Sequence, residues 1–489
     1  MSESLSEPRR LHPATLIVRW LKIVPQMLFA GVGIAAATRG GGIDRFLWFA
    51  LIMAGVGGLF ALLFWWRFTY RVGDGEVVIE KGLFQRQRRV IPFDRVQDIA
   101  IEQRLLARLF GTAKVRIETG GAAKDEGDLD MISLADAQAL RDRIRRGPGA
   151  VAIAEAEEAR EEPVLFAMSI ERLLLSGLFG FSLVFFAAIA AFVQQLDQFG
   201  LVEWDNLVTE ERAEAAAGYA TVQLALILAL LILAAGVVAG VARTVARDYG
   251  FRLTRAESGL RRRRGLFTLS EVVIPLRRTQ VALIETGILM RRLGWHRLSF
   301  QTLGADQKER GLQVAAPFAR MAEIAPILAE AGFPMPPPRS EFRGVPRRAL
   351  LRQAAPWLVL AGLATIAAFA FDLRAGIGAA ALLVAAVLAV LRYRKHGHAL
   401  GEAALFVSSG LLTRRLWIVP YEKAQTINLS RGPVQRRMRL ASLLVDTAGA
   451  SPLRAPEMAD LDFREAERMA EELLARFYRA RAAFKYSTT

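Results

Sequence analysis

The chain of 489 residues carries 64 Lys+Arg against 48 Asp+Glu, a formal net charge of +16 at pH 7, beside a hydrophobic fraction of 53%. It has no cysteine, which excludes disulfides, thiolate metal sites and a cysteine nucleophile. The length fits about three domains, and the basic balance points to nucleic acid or to an anionic membrane surface.

Residues 1–18 read as a cytoplasmic N-terminal segment. Apolar runs then come in twos, and about 20 predominantly apolar residues suffice for a spanning helix. Leu21–Thr38 and Phe46–Trp66 predict a transmembrane hairpin over 19–66. Leu173–Val193 and Thr221–Ala242 predict a second over 173–243, and Pro356–Phe371 with Ala375–Leu391 a third over 353–391. The members of the last pair are short enough for buried soluble helices; their pairing across "DLRAG" favours a bilayer hairpin. Arg and Lys border the runs (Arg10, Arg19, Arg67, Arg243, Arg347, Arg392), whereas the connector Gln194–Ala220 is acidic. Positive charge is retained inside, so both termini and the long segments read as cytoplasmic, at the inner (plasma) membrane. A cleaved signal peptide ending near Thr38 is the weaker reading, because it would leave the second run alone. The run centres are almost free of ionisable residues, which speaks against an ion-coupled carrier.

Three similar cassettes follow the runs, over 67–150, 244–333 and 392–482, separated by an acidic linker (151–172) and a Pro-rich one (334–352). "GLFQRQRRVIPFDRVQ" at Gly82, "GLFTLSEVVIPLRRTQ" at Gly265 and "GLLTRRLWIVPYEKAQ" at Gly410 share one spacing. Pro92, Pro275 and Pro420 lie ten residues after the glycine; Gln97, Gln280 and Gln425 lie fifteen after it. Thr119, Thr302 and Thr447 close alternating runs twenty-two residues further on. Such alternation predicts half-buried strands, the glycine a turn, and the proline a strand edge or bulge. Arg108, Arg291 and Arg436 recur, followed by Gly111 and Gly294, but Arg439 in the third copy predicts a different turn there. Each cassette ends in a helical pattern, opened by Ser133 and Asp136, by Pro317, and by Asp462 and Glu465. The fold class is therefore α+β: six transmembrane helices in three hairpins, each followed by six or seven antiparallel strands and a C-terminal helix.

A start with "LHP" (Leu11–Pro13), then paired runs and a "GLF…IP…Q…RLFG…T" cassette that returns twice in the same register, with Val419 and Arg439 departing in the third copy, resembles the bacterial pleckstrin-homology-like membrane proteins of the YdbT-like type. The resemblance covers Leu11 to about Phe477. It implies a small PH-like β-barrel with a C-terminal helix, no catalytic residues and no cofactor. It also implies a binding or scaffolding role at the cytoplasmic face, in envelope stress or peptide resistance, often beside a smaller one-cassette relative.

The recurring Gly, Pro, Gln and Thr are most economically structural. Candidate contacts to anionic lipid headgroups are Arg261, Arg262, Arg263 and Arg264 before the second turn, Arg86, Arg88 and Arg89 after the first, and Arg414 and Arg415 after the third. Each would contribute about 1 kcal/mol near anionic lipid. A solvated turn is the bland alternative. His396 and His398 in "HGH" have no carboxylate motif that suggests a metal. Phosphate loops, HExxH and GxSxG are absent, and the basic runs lack the interleaved aromatics of nucleic-acid sites. The expected partners are membrane lipids and a membrane protein, not nucleic acid, in an oligomeric state the residues leave open. The competing class is a transport or export component, which charged mid-span residues would favour.

Overall fold

The computed structural model describes residues 8–21, 43–73, 75–82, 85–119, 127–146, 162–179, 219–257, 259–302, 311–371, 375–393, 395–448 and 456–487. Most of the first and third predicted runs and nearly all of the acidic connector lie outside them.

The first cassette begins with β1 (Arg9–Arg10), β2 (Thr69–Val72), β3 (Glu76–Lys81) and β4 (Gln87–Pro92), which form a four-stranded antiparallel sheet in that order. Helix α1 (Ile43–Arg67) separates β1 from β2. Next come β5 (Val96–Arg104), the short α2 (Leu105–Leu109), β6 (Thr112–Thr119), β7 (Gly127–Ser133) and α3 (Leu134–Arg146). The second cassette repeats the plan. It has β8 (Val164–Ala167), α4 (Ile170–Leu178), α5 (Tyr219–Asp248), β9 (Arg252–Ala256), β10 (Gly259–Arg264) and β11 (Thr268–Pro275). Then follow β12 (Thr279–Gly287), α6 (Ile288–Arg292), β13 (His296–Thr302), β14 (Leu312–Ala319) and α7 (Met321–Glu330). The third has α8 (Arg347–Phe371), α9 (Ala375–Tyr393), β15 (Gly397–Leu400), β16 (Ala404–Ser409) and β17 (Thr413–Pro420). It closes with β18 (Ala424–Ser430), α10 (Pro433–Arg437), β19 (Leu440–Thr447), β20 (Glu457–Asp462) and α11 (Phe463–Ser487).

Two compact units result: Met1–Glu162 with Ala167–Arg252 and Arg262–Val272, and Pro163–Phe166 with Leu253–Arg261 and Val273–Thr489. In the first, Val77, Ile79, Ile91, Ile101, Val115 and Ile117 turn inward from alternate strand positions, and Leu140 of α3 covers them. In the second, Val281, Leu405, Trp417, Leu443 and Val445 make the corresponding core, closed by Met469, Leu473 and Phe477 of α11. Burying each such side chain contributes about 1.5–3 kcal/mol.

These findings correct the expected fold class in two respects. Among the described residues no helix is long and apolar enough to cross a membrane, and the strands form four sheets whose paired strands run antiparallel. The nineteen residues of α9 rise about 28 Å, just under a bilayer's apolar thickness. The first turns of α8 are spent on Arg348, Arg352 and Gln353, which bind carboxylates of the third cassette. Nor are the cassettes separate barrels. The seven-stranded sheet runs β7-β6-β5-β11-β10-β9-β8 and the six-stranded one β14-β13-β12-β17-β16-β15, so each takes strands from two successive cassettes; β18-β19-β20 form a fourth sheet.

The N-terminal segment and the segments expected to be linkers also join the sheets. Arg9 and Arg10 pair with β2, β8 lies beside β9, and Arg343 bridges His398 in β15. Pro317 does not open α7: it lies within β14, and the backbone N–H of Arg320, which precedes the helix, donates to Glu323 at 2.8 Å.

Candidate functional site

The spacing of the repeat is backbone geometry. Gly82, Gly265 and Gly410 have φ of 122°, 118° and 92°. A Cβ on them would stand 1.8, 1.9 and 2.1 Å from the carbonyl oxygen of Gln85, Thr268 and Thr413, so each tight turn needs glycine. Pro92, Pro275 and Pro420 end β4, β11 and β17 and lead into single 3₁₀ turns, where the missing N–H is no loss. In each following hairpin the register slips by one at the glutamine. Val96 pairs with Thr119 but Asp98 with Glu118; Thr279 with Thr302 but Val281 with Gln301; Ala424 with Thr447 but Thr426 with Asp446. Gln97, Gln280 and Gln425 are thus bulge residues, and each threonine is the strand partner of the residue before the bulge. Gln280 is buried and donates locally to the Arg278 carbonyl at 3.1 Å, while Gln425 is exposed. Against expectation, Arg439 keeps the turn that Gly111 and Gly294 make: its φ is 53°, beside 62° and 73° for the glycines.

Successive cassettes are joined by strand pairing. β5 takes β11 antiparallel, from Thr268 opposite Arg104 to Glu271 opposite Ile101. β12 takes β17 in the same way, from Thr413 opposite Gly287 to Ile418 opposite Ala282. Side chains fasten both joints. Arg141 of α3 donates to Glu271 at 2.6 Å, Arg108 to the Leu266 carbonyl at 3.0 Å, and Arg415 to Glu285 at 3.1 Å. In the second unit the buried Gln301 donates to the Thr447 hydroxyl at 3.1 Å.

Three cassettes of one geometry make comparison with known proteins decisive. The family described as "Bacterial PH domain" matches residues 21–147, 198–331 and 358–477. The chain belongs to this family. The "UPF0699 transmembrane protein YdbT" of Bacillus subtilis (strain 168) is 24% identical over 494 residues, covering 94% of this chain and 97% of that protein. No solved structure matches.

The arginines proposed as a headgroup patch are mostly committed within the PH cassettes. Strand alternation in β10 buries Arg262 and Arg264 and exposes Arg263, with Arg261 between. Arg264 donates to Asp248, the buried last residue of α5, at 3.1 Å, and Arg247 donates to the same carboxylate at 2.6 Å. Arg415 lies in the second joint, and Arg414 is half-buried on Ser408 at 3.0 Å. Burial, then the neighbouring Arg339 and Arg291, lower the Arg414 guanidinium below its ordinary range. Arg86 and Arg88 are exposed and Arg89 half-buried; Arg88 is 3.7 Å from Glu80.

Buried carboxylates, which the sequence reading passed over, tie helices to cassettes. Asp460 of β20 is fully buried, with φ of 61°. Its carboxylate accepts from Arg352, from Gln353 at 3.0 Å and from Gln435 at 2.8 Å. Burial alone would raise this carboxyl, but these donors outweigh it and hold it below the ordinary value. His398 is buried in β15, and burial, then Arg343, push its imidazole down to about 4. No cluster of metal-ligating side chains occurs among the described residues. An open groove of about 760 Å³ beside Tyr421 contains Arg476, already engaged by Glu472 at 2.6 Å and by the Tyr421 hydroxyl at 3.1 Å.

Proposed function

We propose that the chain is a non-enzymatic scaffold at a membrane, whose PH cassettes hold protein partners through the edges of their sheets. One observation carries this reading: both internal joints are made by an edge strand of one cassette adding to the next. Strand addition is a recognition mode in which the backbone supplies affinity and flanking side chains supply selectivity. The membrane setting is supported by the name of the relative, a transmembrane protein, and by the net charge of +16. Crosslinking in native membranes, followed by identification of captured neighbours, tests the proposal. Protein neighbours captured at β4 or β18 should be lost in Arg88→Pro or Leu429→Pro chains, since proline there removes an outward-facing ladder donor. Capture of lipid alone would overturn it.

A second reading, an anionic headgroup or phosphate ligand, is favoured by one cluster. Arg291 and Arg339 act on Arg414, and the Arg291 Nη1 is buried without a hydrogen-bond partner among the described residues. Vesicles with and without anionic lipid would separate the two, because strand addition is indifferent to headgroup charge.

A further inference from the structure

The two joints obey one register. Counted from the turn glycine, the third residue lies opposite the twenty-second of the preceding cassette: Thr268 opposite Arg104, and Thr413 opposite Gly287. The next pairs continue in step, Leu269–Gln103 and Ser270–Glu102 in one joint, Arg414–Thr286 and Arg415–Glu285 in the other. Thr268 matches Thr413 and Glu102 matches Glu285, but no opposed pair recurs, so the register is a property of the cassette backbone rather than of one side-chain pair.

Three cassettes provide three strands of each kind, and two joints use two of each. The remainder are β4, counterpart of β11 and β17, and β18, counterpart of β5 and β12. Each ends its sheet, with no strand on its outer side among the described residues. Their outer positions are correspondingly open. Val90 is 45% exposed where Val273 and Ile418 are 7% and 0%, and Asn428 is exposed where Leu283 is buried.

We infer that these two edges join in trans: β18 of one copy of this chain pairs antiparallel with β4 of a second copy, in the register of the internal joints. The inference rests on the scaffold reading and names its partner. It places Gln85 opposite Gly432, Gln87 opposite Ser430 and Arg89 opposite Asn428. The contact is heterologous, so it either propagates head to tail or closes a ring. Continuity with two joints of the same geometry, and one edge of each kind left without a neighbouring strand among the described residues, favour the chain's own strand as occupant.

Charge weakens this joint relative to the internal ones. Arginines protect edge strands from indiscriminate pairing, and Arg86 comes opposite Arg431. The opposition is partly relieved, because Arg431 is folded back 3.6 Å over the Phe463 ring and donates to the Leu440 carbonyl at 3.3 Å. Salt, by screening like charges, therefore strengthens the joint.

The cysteine-free chain permits a direct test. Full-length Gln87→Cys and Ser430→Cys chains are purified separately, mixed and mildly oxidised. Opposed residues in an antiparallel pair stand about 4.5–5.5 Å apart, within disulfide reach. The mixture should give a disulfide-linked dimer, bridged between positions 87 and 430, at least fivefold above a mixture of Gln87→Cys with Asn428→Cys chains. The positions of that control lie about 8 Å apart and out of reach. The yield should rise between low salt and 0.5 M salt. Failure to link two thiols that both react with a maleimide would overturn the inference, as would linkage confined to single chains when Gln87→Cys and Ser430→Cys are combined in one chain. Capture of a different protein at position 87 would overturn the second copy as partner while leaving the scaffold reading intact.

Discussion

Replacing Asp460 by alanine removes the acceptor on which α8, α10 and β20 converge. Asp460 is fully buried, whereas Arg352 keeps 33% side-chain exposure and can recover some hydration, so the loss falls near the lower end of a broken buried pair, about 3 kcal/mol. Gln435 keeps its bond to Ser442 at 3.0 Å and adds little. The φ of 61° adds about 1 kcal/mol, because aspartate tolerates the left-handed region better than alanine. Asp460→Ala should therefore cost about 4 kcal/mol. Asp460→Asn, which keeps that tolerance and one acceptor, should cost about 2 kcal/mol. A chain with more than one core does not unfold in one step, so the assay is amide hydrogen exchange of β20 and α11 in the intact protein. About 4 kcal/mol corresponds to nearly a thousandfold faster exchange. Because the folded carboxyl is held low, its contribution is complete above the unfolded value of about 3.9 and is lost as pH falls through the folded value. Less than a tenfold change for Asp460→Ala, or Asn costing as much as Ala, would refute the reasoning.

Gly265→Ala should destabilise the second cassette by about 3 kcal/mol, because its Cβ meets a backbone oxygen at 1.9 Å; loss of exchange protection in β10 and β11 reads it out. Arg439→Gly should slow exchange around β19 by the equivalent of about 0.5–1 kcal/mol, relief of the left-handed backbone exceeding the added unfolded-chain entropy. His398 is held neutral down to about pH 4, whereas the unfolded imidazole takes up its proton near 6.5. Stability is therefore present above that value and is lost as pH falls from 6.5 towards 4. His398→Phe should flatten protease sensitivity across that window, and an unchanged pH profile would count against the assignment.

The amino-acid sequence by itself determined whatever is local. Gly82, Gly265 and Gly410 mark turns because a Cβ would strike the chain three residues on, and that constraint is written within one short segment. The fixed spacing from glutamine to threonine is likewise a hairpin, a bulge at one end and a strand partner at the other. The family was legible for the same reason, since a backbone motif repeated three times leaves a period that substitution does not erase.

Only tertiary structure decided which strands lie beside each other across cassettes. Backbone N–H and C=O groups make the β5–β11 and β12–β17 ladders, and every residue type but proline carries both, so no side chain announces the joint. The same distinction separates Arg262 from Arg263: adjacent arginines look alike in sequence, and the pleat sends one into the protein and the other to solvent. Asp460 was one carboxylate among forty-eight acidic residues until a helix more than a hundred positions earlier in the chain supplied Arg352 to it. Local sterics fix turns and periods, whereas the worth of a charge or an edge depends on what distant chain segments bring against it.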